Sequence, residues 1–90
     1  MSTIFNTGAV NADVSVGVTS TLLAAGNTSR NYLLIQNKST VTIYVSIGGA
    51  AVLNTGVQIV AGGYWEPLIP PNAAVYGITA AGTALTCVVS

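Results

Sequence analysis

The sequence predicts an all-β protein: a small single-domain β-sandwich, jelly-roll or immunoglobulin-like, of about 7–8 short antiparallel strands. Three observations carry this. Apolar residues recur with period two, as in "VTIYVSI", where Val41, Ile43, Val45 and Ile47 share one face and Thr42, Tyr44 and Ser46 the other. Turn-forming clusters recur about every 8–12 residues, the spacing of strands in a sandwich or small barrel. No segment sustains helical spacing over about ten residues, the length a helix needs to be recognised. At 90 residues, the chain reads as one domain spanning 1–90.

Residues 1–12, "MSTIFNTGAVNA", place Ile4 and Phe5 among small polar residues. They read either as a first strand or as an extended N-terminal arm that docks on a neighbour and leaves its apolar pair exposed in the isolated chain. "ADVSVGV" alternates, with Val14, Val16 and Val18 on one side. "STLLAAG" fits a strand or a single helical turn and is too short for a stable helix. "NYLLIQN" is more uniformly apolar, as in a strand covered on both faces. "NKST" then forms a compact polar link suited to a hairpin turn into "VTIYVSI".

"NTG" at Asn54–Gly56 turns the chain into "VQIV", and "AGG" at Ala61–Gly63 into "YWEPLI". Pro67 has no backbone donor, which marks an edge position or a strand end. "PPN" at Pro70–Asn72 makes a rigid corner. "AAVYGITA" alternates, with Val75, Gly77 and Thr79 opposite Ala74, Tyr76 and Ile78. "AGT" leads into "ALTCVVS", where Leu85, Cys87 and Val89 share a face.

Apolar residues make up 51% of the chain and charged residues 4%, against ~25% charged in an ordinary domain. The wealth of Val, Ile and Leu argues against disorder. No apolar run reaches the ~18 residues of a membrane span. The first residues lack the basic and apolar regions of a signal peptide, so the expectation is a chain folded in a cytoplasm. A net charge of zero removes the repulsion that keeps monomers apart and favours a subunit over a freely diffusing protein. A surface of neutral Ser, Thr and Asn would serve equally without a partner.

Residue types then exclude whole classes of chemistry. With no histidine, the usual general base and the Ser-His-Asp and Cys-His arrangements are missing. Asp13 and Glu66, the only side-chain carboxylates, would make a glycosidase pair only if the fold brought them to ~5–9.5 Å. One thiol and two carboxylates do not build a metal cage. Cys87, the single cysteine, forms no internal disulfide and reads as a buried, inert thiol. Arg30 and Lys38 are too few to neutralise a nucleic-acid backbone. "GGAAVLNTG" lacks the Lys-Ser/Thr ending of a phosphate loop. The expectation is therefore no enzyme, no catalytic or metal site, no cofactor, and neither nucleic acid nor membrane as partner.

The remaining distinctive residues point to contacts. Arg30 and Lys38 flank one predicted strand, where they keep its edge soluble. Alternatively, Arg30 or Glu66 forms a cross-subunit ion pair that fixes orientation. Trp65 lies between turn glycines and Pro67 and reads either as a core anchor or as an edge contact, a position where Trp is enriched.

In "RNYLLIQNKSTVTIYVSIGG" and "GYWEPLIPPNAAVYGITAAGTALTCVVS" the chain resembles small virion proteins of tailed bacteriophages, of the head decoration (cement) kind. The shared cadence is an Arg before "LLIQN", a short polar turn, "IYVSIGG", a Gly and then Trp-Glu, and "VYGITAAGT" before the last strand. The resemblance implies a structural virion protein on the capsid surface. It would bind the outside of an assembled capsid at three-fold or local three-fold positions and stabilise it. The implied partner is the major capsid protein, and the implied state a homo-oligomer, preferably a trimer. Ile4, Phe5, Arg30, Trp65 and Glu66 are the expected interface residues. The rival expectation is a tail or fibre-associated module that stacks a host-surface carbohydrate on Tyr32, Tyr44, Tyr64 or Tyr76.

Overall fold

The alternating segments become eight strands in the computed structural model, which describes residues 11–90: β1 Asn11–Val16, β2 Thr21–Ala24, β3 Leu34–Asn37, β4 Ile43–Ile47, β5 Val57–Ile59, β6 Tyr64–Trp65, β7 Val75–Thr79 and β8 Ala84–Val89. All pairings are antiparallel. The first strand pairs with the last, β2 with β7, β3 with β6, and β4 with β5. The chain is thus one long hairpin with its tip at β4–β5. Its two arms pass alternately into two sheets, ordered β1-β8-β3-β6 and β2-β7-β4-β5. This is the strand order of a jelly roll, and it decides between the two sandwich types the sequence allows.

The inner faces meet in one core. Val16, Ala84, Val88, Leu33 and Ile35 come from the β1-β8-β3-β6 layer, and Leu23, Val75, Ile43, Val45 and Ile59 from the other. Gly77 lies at the centre of this packing. A Cβ there would stand 2.9 Å from Leu23 Cδ1 and 3.5 Å from Val16 Cγ2, so its bare backbone lets both side chains close over β7. Two buried hydroxyls are satisfied locally: Thr79 Oγ1 donates to Thr42 O at 3.0 Å, and Thr86 Oγ1 to Val14 O at 2.9 Å.

Several expectations change. "NKST" is not a hairpin, because β3 and β4 lie in different sheets and the segment crosses between them. The cause is Asn37, which is fully buried and turned between the layers. Its Nδ2 donates to Val41 O at 2.7 Å, Ile59 O at 3.0 Å and Val60 O at 3.2 Å. Its Oδ1 accepts from Ser39 N at 3.0 Å and Ser39 Oγ at 2.6 Å. In β8, Leu85, Cys87 and Val89 do share a face, but it is the outer one; Ala84, Thr86 and Val88 are the buried set. Cys87 is therefore half-buried, not a core thiol. Arg30 lies in the β2–β3 loop, apart from the strand it was expected to flank. Asn11 and Ala12 already belong to β1.

Other expectations hold. "STLLAAG" supplies a strand, β2. The β6 strand is a sheet edge and stops at Trp65, two residues before Pro67.

Candidate interaction surface

The alternating topology sends the β2–β3, β4–β5 and β6–β7 connections to one end of the sandwich. The last of these, residues 66–74, carries the sequence "EPLIPPNAA" and all three prolines of the chain. Proline fixes φ, lacks a donor and restricts the residue before it, so this stretch neither extends β6 nor starts a helix. It leaves Leu68 97% and Ile69 83% exposed.

Both flanks of the loop are pinned to the β2–β3 connection. At its start, Tyr32 Oη donates to Glu66 Oε2 at 2.6 Å. At its return, the Arg30 guanidinium donates through Nη1 to Pro71 O at 2.6 Å and Ala73 O at 3.2 Å, and through Nη2 to Ala25 O. The backbone adds Asn27 N to Asn72 O at 2.8 Å, and Gly48 N to Ala74 O at 2.7 Å. Arg30 thus spends both terminal nitrogens on main-chain carbonyls, while its buried Nε has no partner among the described residues. The hydrogen bond to Glu66, then partial burial and the nearby carboxylate charge, raise the Tyr32 phenol above its ordinary pKa and keep it a donor.

The outer face of β2-β7-β4-β5 is also uncharged. Leu22, Tyr76 and Ser46 stand in one row, and Ile78, Tyr44 and Gln58 in the next. The β4–β5 loop reaches back toward the β1–β2 connection, where Ala51 N donates to Ser20 Oγ at 2.8 Å. On the other sheet, Asp13, Cys87, Gln36 and Tyr64 form one outer row. Lys38 Nζ reaches Asp13 Oδ1 at 3.1 Å.

The expected interface residues are therefore distributed as follows. Arg30, from the β2–β3 connection, and Glu66, from the 66–74 connection, come to the same end of the sandwich, but each already has a partner within the chain. Trp65 faces inward and packs, half-buried, against the core, while its neighbour Tyr64 is 66% exposed. Ile4 and Phe5 lie outside the described residues. Asp13 and Glu66 belong to opposite edges of one four-stranded sheet. Three strand spacings of ~4.8 Å separate those edges by ~14 Å, beyond the ~9.5 Å reach of a glycosidase pair. Among the described residues no three of His, Cys, Asp and Glu gather into a metal site, and no helix is long and apolar enough to cross a membrane.

The chain matches no protein-family model, and no curated protein matches it.

Sequence reasoning passed over Leu68 and Ile69. The available signal was their position between Pro67 and Pro70, where an apolar pair has no strand to join.

Proposed function

We propose that this chain is a structural virion protein that attaches to the outside of an assembled tailed-phage capsid and stabilises it. The supporting observation is a surface whose charges are engaged internally while its apolar groups are not. Arg30, Lys38, Asp13 and Glu66 all have partners within the chain. Meanwhile ten large apolar side chains are exposed among the described residues. Such a surface suits a module that ends up against a larger body.

The mechanism is linkage. A protein that binds only the assembled shell stabilises it by mass action. Contacts repeated on a lattice gain from effective concentration, so each one can be modest. The partner in this reading is the major capsid protein, the sites are three-fold or local three-fold positions, and the attached form is a trimer.

The experiment is co-sedimentation of the purified chain with shells assembled from a tailed-phage major capsid protein, with light scattering to give its oligomeric state. Saturable attachment and a higher shell melting temperature are expected. A chain that stays monomeric at high concentration and never pellets with shells refutes the proposal. A second reading, recognition of a host-surface carbohydrate, draws on Tyr64, exposed in one row with Gln36. Binding to a glycan array without affinity for shells would select it.

A further inference from the structure

We infer that the 66–74 loop is the part of the molecule that enters the shell, with Leu68 and Ile69 as a preorganised plug for an uncharged apolar crevice on the capsid protein. This rests on the attachment reading above and names the contact within it.

Two adjacent aliphatic side chains in water would ordinarily fold back onto the nearest apolar surface. Here the backbone prevents that. Pro67 stands before the pair and Pro70 and Pro71 after it. The flanks are bolted down by Tyr32 at Glu66 and by Arg30 at Pro71 and Ala73. The ordering entropy of the loop is lost when the chain folds, so little remains to be lost on docking.

Charge sets the chemistry of the occupant. Glu66, the only ionisable side chain in residues 66–74, accepts from Tyr32, and Arg30 beneath the loop faces carbonyls. The aliphatic pair itself offers neither a hydrogen bond nor an ion pair, so a charged group facing it would lose its water without compensation. Area argues against a second copy of this chain. Two aliphatic side chains bury on the order of 200 Å², whereas a stable pair needs about 800 Å² on each side. A contact of that size holds only when repeated, as on an ordered shell.

The test compares the full chain with Leu68→Ser/Ile69→Ser and with Arg30→Gln, by shell co-sedimentation, thermal unfolding and flotation with phosphatidylcholine vesicles. The double variant should melt with the wild type, since both side chains are already in water, yet attach about tenfold or more weakly. Arg30→Gln keeps the plug but frees its return strand; it should attach more weakly and show faster amide exchange at residues 72–74. Equal attachment of wild type and double variant overturns the plug and leaves the attachment reading standing. Failure of the wild type to attach overturns both. Vesicle binding by the wild type that the double variant loses overturns the protein crevice in favour of a lipid surface.

Discussion

Replacing Asn37 with Ala should loosen the sandwich at the end opposite the 66–74 loop. The Asn37 amide joins the β3–β4 crossing to the start of the β5–β6 connection, and each of its polar atoms is used. Two of the carbonyls keep another donor after the change: Val41 O still receives Ser39 Oγ, and Val60 O still receives Gly63 N. The loss is therefore about three to four net hydrogen bonds, each worth ~1 kcal/mol, or about 3–4 kcal/mol in all. For a domain of this size the total stability is ~5–13 kcal/mol, so the share is large. The assay is urea unfolding followed by the fluorescence of Trp65, the only tryptophan. With a slope of ~1–2 kcal/mol per molar urea, the midpoint should fall by about 1.5–4 M. Asn37→Asp should be worse at neutral pH, because it sets a carboxylate against three carbonyls, and should recover as acid neutralises it. An Asn37→Ala chain that unfolds at the wild-type midpoint would refute the bridge.

Gly77→Ala places a methyl group 2.9 Å from Leu23 Cδ1; overpacking of this kind should cost about 1–3 kcal/mol in the same unfolding assay. The raised pKa of Tyr32 means that the folded chain holds the phenolic proton more tightly than the unfolded chain. That contribution is complete below about pH 10 and fades as pH climbs through the folded value; a Tyr32→Phe chain should lack the fall in alkaline melting scans. The Lys38–Asp13 pair is partly exposed on both sides, so Lys38→Ala should change stability by no more than about 0.5 kcal/mol.

Period-two patterning made most strands legible, and Pro67 announced both the edge and the end of β6. The inward face of β8 was not legible. Hydrophobicity favours Leu85, Cys87 and Val89, yet the interior takes Ala84, Thr86 and Val88. The choice turns on Val14 O, which satisfies the Thr86 hydroxyl 72 residues away in sequence. The crossing after β3 was hidden for a similar reason: "NKST" has turn chemistry, and only the destination of the Asn37 side chain separates an arch between layers from a hairpin within one. At the candidate surface, Arg30 was noticed as a charge. Its role as a clamp depends on carbonyls 41 and 43 residues downstream. Until those partners are in place, Leu68 and Ile69 look like any short apolar run.

The pairing of first strand with last sets Asn11 across from Val89. Asn11 and Val89 stand at the end of the sandwich where β3 begins and β6 finishes, the side that carries the proline loop. Cargo genetically joined to Ser90 would therefore crowd the side of the proposed plug. Cargo inserted at the exposed 80–83 turn would instead stand at the opposite pole and leave the proposed plug clear.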